Sequence, residues 1–191
     1  MKYLILSDIH GASAELELAL SYFSVMNCDV IVLLGDLLNH GPRNIIPRSY
    51  NPPKVVDLLS SYSNRIICVR GNCDGEVDTM MFNFPCNAPY AHLFIPKSDG
   101  LQKIMLTHGH LYSLDTIGSI SKIGLKTGDI VLSGHTHISG RFEKAGGVIN
   151  INPGSVGIPK GNTSAGFATL DDHGIVLYSL EGEQLLEHRF G

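Results

Sequence analysis

Long apolar runs are missing from this chain, and so are basic tracts, paired cysteines and internal repeats. No stretch approaches the roughly 18 apolar residues that a membrane-spanning helix needs. The N-terminal run Met1–Leu6 is too short for the hydrophobic part of a secretion signal, and reads as the first strand of a mature cytoplasmic protein. Asp and Glu (18) outnumber Lys and Arg (14), for a net charge of −4. This argues against a surface that coats extended nucleic acid. Nucleotides and small phosphoesters stay open, because a bound metal can supply the positive charge. The four cysteines form no C-x-x-C pair and no zinc-knuckle spacing. They read as free thiols in a reducing compartment, with Cys28 and Cys68 in the core.

What is present suits one domain spanning residues 1–191. With 43% hydrophobic residues the chain can build a sizeable core. Lys2–Ser7, Asp29–Leu34 and Arg65–Val69 are apolar runs of strand length. Ala12–Met26 and Pro53–Tyr62 carry helical spacing, the second with proline at its start. The order strand–helix–strand–helix–strand favours a parallel sheet with crossover helices. Beyond residue 91 lie short strand candidates: His92–Ile95, Gln102–Thr107, Ile130–Ser133, Gly140–Lys144, Val148–Ile151, Gly166–Leu170, Ile175–Ser179 and Gln184–Arg189. The pattern predicts an antiparallel meander, with one more helical piece within Leu114–Lys126. Two long loops, Leu37–Asn51 and Gly71–Ala91, stand out as functional candidates. In the second, Met80, Met81, Phe82 and Phe84 read as core or as a subunit contact.

Five strings carry the chemistry: Asp8-Ile9-His10, Gly35-Asp36, Gly71-Asn72-Cys73-Asp74, Thr107-His108-Gly109-His110 and Gly134-His135-Thr136-His137. Each follows an apolar run, so each puts O or N ligands in a loop at a strand end. Asp8 and His10, two residues apart, point to one face if the backbone stays extended. His135 and His137 repeat that spacing, as do His108 and His110. Alone, each string has a plain structural reading: a cap, a turn, an Asx-turn or a surface histidine. Together they place five of nine histidines in three strand-end strings. That combination predicts bound metal. Mixed N/O donors without thiolate favour Mn, Fe, Zn or Ni over calcium.

In this order, D-x-H, G-D, G-N-[HC]-D, G-H and G-H-x-H, the strings resemble the calcineurin-like metallophosphoesterase superfamily. Thr107 stands where glycine is usual before the fourth-string histidine. The resemblance implies an α/β fold, a four-layer α-β-β-α sandwich of two mixed sheets flanked by helices. It implies a first metal on Asp8, His10, Asp36 and His137. A second would sit on Asp36, Asn72, His108 and His135, with Asp36 shared. The two divalent ions would be Mn2+ first, with Zn2+, Ni2+, Fe2+ or Mg2+ as alternatives. His110 falls beside a ligand, and Asp74 is expected to orient the loop through hydrogen bonds. A homodimer or tetramer is also implied by resemblance alone.

The expected activity is one-step hydrolysis of a small phosphodiester by a hydroxide shared between two cations about 3.5–4 Å apart. Arg43 could steady a phosphoryl oxygen through its planar fork, with Asn39 and His40 as further substrate contacts. Cys73 occupies a position where many relatives carry histidine. A thiol is the weaker proton donor there at neutral pH, which favours diesters with good leaving groups. His110 is the alternative donor, so Asp36, Asn72, His110 and Arg43 are the catalytic candidates. Asn152-Pro153-Gly154-Ser155 reads as a turn, with shaping of the pocket floor near His135 as the second reading. Two rivals come from the same family: a protein-interaction scaffold of the retromer-subunit type, and a phosphatase or dinucleotide hydrolase.

Overall fold

The computed structural model describes residues 1–191. Its first five elements alternate as the apolar spacing predicts: β1 (Tyr3–Leu6), α1 (Ser13–Val25), β2 (Val30–Leu33), α2 (Pro52–Ser60) and β3 (Ile66–Cys68). Asn51 caps α2 by accepting from the Lys54 N–H at 3.1 Å, and the two prolines that follow need no donor partner in the first turn. Next come α3 (Glu76–Met80), β4 (Tyr90–Lys97), β5 (Gly100–Thr107), α4 (Ile117–Lys122) and β6 (Ile130–Leu132). The chain ends with β7 (Gly140–Glu143), β8 (Ile149–Asn152), β9 (Gly166–Leu170), β10 (Gly174–Ser179) and β11 (Gln184–Arg189).

These strands form two mixed sheets. One has the order β11-β10-β9-β1-β2-β3, the other β4-β5-β6-β8-β7. In the first, β1-β2-β3 pair in parallel, joined by crossover helices. The strands alternate their side chains between two cores. Leu4, Leu6, Ile31 and Leu33 pack under α1 and α2 against Leu16, Leu20, Phe23, Val55 and Leu59. Ile5 and Val32 face the other way, into a core between the sheets with Ile104, Leu106, Ile130 and Leu132. On the far side of the second sheet, Met105 and Val131 meet Leu114, Ile120 and Leu125 around α4. Helices, sheet, sheet and helix thus make four layers. Strands buried on both faces explain why the runs are almost continuously apolar.

The later chain departs from the expected meander. Only β9-β10-β11 is one. β5, β6 and β8 pair in parallel, because α4 crosses between β5 and β6 and the β7-β8 hairpin carries the chain back. The helix within Leu114–Lys126 is shorter than its predicted span, and β4 is longer than His92–Ile95. Pro96 sits inside β4 because β4 is an edge strand, where a missing N–H costs no ladder bond. The Gly71–Ala91 loop holds α3. There Phe84 joins the core while Met80 stays 82% exposed, so that segment divides between the two readings. Cys28 and Cys68 are buried. No helix is long and apolar enough to cross a membrane.

Candidate metal centre

The five strings meet at one end of the facing sheets. Asp8 and His10 leave β1, Asp36 leaves β2, Asn72 leaves β3, His108 leaves β5, and His135 and His137 leave β6. The expected extended backbone does not hold there. Asp8, His10, Asp36, His135 and His137 have φ between 50° and 68°, and they are five of only seven non-glycine residues at positive φ. Each such residue costs about 1–3 kcal/mol unless its surroundings enforce it. Here the N–H of Asp8 donates to the Gly35 carbonyl at 3.1 Å and that of His10 to the Asp36 carbonyl at 2.9 Å. The strand ends are zipped together while their side chains turn inward.

Three triads each have their donor atoms within 4.8 Å of one another: Asp8-His10-His137, Asp8-Asp36-His108 and His10-Asp36-Cys73. His137 Nε2 lies 3.2 Å from Asp8 Oδ1, and His108 Nε2 lies 3.3 Å from Asp36 Oδ2 and 3.0 Å from Asn72 Oδ1. Three imidazoles have their second nitrogen occupied by a backbone carbonyl. His10 Nδ1 meets Asn39 O at 2.6 Å, His108 Nδ1 meets Leu34 O at 2.8 Å, and His137 Nδ1 meets Ile158 O at 2.6 Å. A neutral ring that donates from Nδ1 presents a lone pair at Nε2. With both rings neutral, His10 and His137 point two such lone pairs at each other across 3.2 Å; burial disfavours a charge on His10, yet Asp8 and Asp36 raise its pKa, so the pair calls for a positive charge, proton or metal, between them. Asp8 Oδ1 is buried and has no hydrogen-bond partner. Converging lone pairs and an orphaned carboxylate oxygen are unfavourable unless a cation joins them. The donor set therefore fits divalent metal.

The local charges are strongly coupled. Burial opposes ionisation of Asp8, but His10, His137 and His108 outweigh it and hold the carboxyl below its ordinary pKa. Burial likewise favours neutral His108, yet Asp36 and Asp8 raise its pKa to about 9. His110 and His135 are lowered, by burial first and then by His108. Burial and the charges of Asp36, Asp74 and Asp8 push the Cys73 thiol up to about 12.

A cleft of about 700 Å³ opens over the cluster, lined by Asp36, Asn39, Arg43, Asn72, Cys73 and His135 among others. His135 stands half-buried at the edge of the cluster, its ring 5.2 Å from that of His108. His110 faces a second cleft of about 500 Å³ with Arg70, Asn87, Pro89 and Leu111, and the two clefts share Asn72. His40 is not part of either wall, and its ring packs edge-on against Tyr50.

The sequence matches the calcineurin-like phosphoesterase superfamily domain over residues 1–173. It is 38% identical over 186 residues to phosphodiesterase YfcE of Escherichia coli K12, covering 97% of this chain and 96% of that one. The chain belongs to the calcineurin-like phosphoesterase superfamily. A solved structure of YfcE, described as a phosphoesterase, superposes with a TM-score of 0.86 at 36% identity, and all of both chains is covered. The probable metallophosphoesterase YsnB of Bacillus subtilis is 28% identical over 174 residues, 89% of this chain and 83% of that one. As a member of this superfamily the chain is a hydrolase with the metallophosphoesterase fold.

Supporting residues around this phosphoesterase site went partly unread in the sequence. Asp74 accepts from the Asp36, Leu37 and Gly71 N–H groups at 2.7–2.8 Å, tying the second string to the third. The Ser7 hydroxyl and the His135 N–H both donate to Asp8 Oδ2. Asn152-Pro153-Gly154-Ser155 is more than the expected turn. Asn152 Nδ2 donates to Gly134 O and Thr136 Oγ1, and the Ser155 hydroxyl donates to Asp8 O at 2.7 Å. Lys160 also lines the main cleft. A lone lysine outside every motif carries no signal of that kind, whereas serine next to Asp8 could have been found.

Proposed function

We propose that this protein is a metal-dependent phosphodiesterase acting on small phosphodiesters, with two divalent cations at its centre. Asp8, His10, Asp36 and His137 would hold one, and Asp36, Asn72, His108 and His135 the other, with Mn2+ the first candidate. The observation that carries the reading is the buried, unpartnered Asp8 Oδ1 facing the Nε2 atoms of His10 and His137. The similarity to YfcE, a named phosphodiesterase, over nearly the whole of both chains supports it.

Cations held by these donors supply Lewis acidity, neutralising phosphoryl oxygens and lowering the pKa of an attacking water. The chain's own groups do the rest. Asp74 fixes the Asp36 backbone, and the Nδ1 carbonyl contacts fix three imidazoles. Two clefts meeting at Asn72 suit a phosphorus with an ester arm on each side. Arg43, an exposed guanidinium in the cleft wall, is placed to steady a phosphoryl oxygen. Asn39 lines the same wall. Cys73 offers a neutral thiol in the cleft wall, a weaker proton donor at neutral pH than an imidazolium and a poor acid for an alkoxide. Diesters with phenolate or nucleoside phosphate leaving groups should therefore be preferred to simple monoesters.

The test is a metal-dependent screen of mono-, di- and cyclic phosphoesters beside an Asp36→Ala control. Turnover of bis(p-nitrophenyl) phosphate with added Mn2+ is expected, and the control should lose both activity and bound ions. No turnover with Mn2+, Zn2+, Ni2+, Fe2+ or Mg2+, despite bound metal, would overturn the reading in favour of a scaffold.

A further inference from the structure

We infer that the main cleft holds a subsite for a second negative charge on the substrate: Lys160 receives an anionic group, phosphate or carboxylate, borne by one arm of the diester, while Arg43 in the same wall serves the phosphoryl oxygen. This rests on the phosphodiesterase reading and narrows its substrate class. Two exposed cations share this cleft wall without a carboxylate partner. The chain is net acidic, with 18 carboxylates to 14 Lys and Arg. Its Lys and Arg ion pairs involve Lys54, Lys97, Arg141, Lys144 and Arg189. Neither Arg43 nor Lys160 is among them, although both stand in the wall of one cleft. The only carboxylate in that wall is Asp36, which is engaged by His108 and by the Cys73 N–H.

Lys160 is not a loose surface lysine. Its N–H donates to His137 O at 3.0 Å, and its own carbonyl accepts from the Thr163 N–H at 3.1 Å and the Thr163 hydroxyl at 2.8 Å. Its ammonium donates to Asn44 Oδ1 at 2.8 Å, and Asn44 Nδ2 donates to His40 O at 2.8 Å. The side chain therefore bridges the Lys160–Thr163 turn to the loop that carries Arg43. A neutral amide fixes the position of the ammonium and leaves its charge uncompensated, with two further N–H donors unused. Backbone contact with His137 holds the Lys160 main chain beside the metal cluster, and the Asn44 contact directs its side chain along the cleft wall. The second cleft differs. There the Arg70 Nε–H is spent on the Asp74 carbonyl, and Pro89 and Leu111 add apolar wall. The two arms of a bound diester would thus meet unlike surroundings, and the charged arm belongs with Lys160.

The experiment uses the full chain loaded with Mn2+ and three p-nitrophenyl diesters. Their second arms are the same alkyl chain ending in a hydroxyl, a carboxylate or a phosphate, so the leaving group is constant. An anionic arm should raise kcat/KM about tenfold, chiefly through KM, as a charge-assisted contact would. Added salt should shrink that preference. Lys160→Met should pull the ratio of charged-arm to neutral-arm kcat/KM toward one, and Lys160→Arg should keep most of it. Whichever of carboxylate and phosphate gains more identifies the anion. Equal kcat/KM for all three arms in the unaltered protein, or a ratio untouched by Lys160→Met, overturns this inference while leaving the phosphodiesterase reading standing. Failure to cleave any of the three with any divalent ion overturns that reading and this inference with it.

Discussion

Replacing Asp74 should show whether its carboxylate, which joins the Asp36 backbone to Gly71, positions Asp36. Its carboxylate is 5% exposed. Oδ2 accepts from Asp36 N at 2.8 Å and Gly71 N at 2.7 Å, and Oδ1 accepts from Leu37 N at 2.8 Å. Asp74→Ala strands three buried donors, each worth about 1–3 kcal/mol when unanswered. Water entering the vacated space answers some of them, so a loss of about 3–5 kcal/mol is expected, a large share of the roughly 5–15 kcal/mol that holds a domain folded. Asp74→Asn keeps one oxygen for Asp36 and Gly71 but turns an N–H₂ against Leu37, for a loss of about 1.5–3 kcal/mol. Asp78→Ala is the control. It removes a single contact, to Gly75 N at 3.0 Å in a half-buried place, and should cost no more than about 1 kcal/mol. Urea unfolding of metal-stripped protein, followed by circular dichroism, should rank the variants in that order. Calorimetric titration should show Mn2+ affinity about 10–100-fold weaker in both Asp74 variants, as loss of an outer hydrogen-bonding partner does elsewhere. If Asp74→Asn unfolds with Asp78→Ala, or binds Mn2+ like the unaltered protein, the clamp is not what positions Asp36.

Other perturbations bear on different links. Cys73→His, assayed on esters of graded leaving-group pKa, should gain rate most for the poorest leaving groups, and a uniform gain would contradict the account of the thiol as a weak donor. A methyl group at Gly134 would overlap the Ser7 hydroxyl and Asp8 Oδ2, so Gly134→Ala should bind less metal by elemental analysis than unaltered protein, and full occupancy would show that the strand ends can yield. The His108 pKa near 9 means that its ring carries a proton at neutral pH in the metal-free protein. Metal must displace that proton, together with any on His10, whose pKa is raised as well, so apparent affinity should climb at least tenfold per pH unit up to about pH 9 and then level off. Affinity that stays flat over that interval would remove His108 from the ligand set.

Much of this was legible in the sequence because its signals are local. Apolar runs such as Val30–Leu34 announce buried strands, and Asp36 directly after one announces a strand-end ligand. The β1-α1-β2-α2-β3 order followed from periodicity alone. Pairing in the second sheet did not, because the contact of Ile104 with Ile130 and of Ile130 with Ile149 depends on connections that carry no pattern of their own. The left-handed backbone at Asp8, His10, His135 and His137 was hidden for a related reason. Asp and His tolerate positive φ better than most residues but do not require it, and here it is imposed by neighbouring strand ends. Lys160, Asn152 and Ser155 reach the site only through tertiary hydrogen bonds spanning 16 to 147 residues.

The centre draws Asp8, His10, Asp36 and Asn72 from one sheet and His108, His135 and His137 from the other. A nascent chain that has just completed β3 owns four of these groups and none of the three that face them. The seam between the sheets must close before a cation finds its full set of partners, and the Ser155 brace arrives later still. Cations that need all seven partners would therefore hold the two sheets to each other, clasping the molecule across its seam.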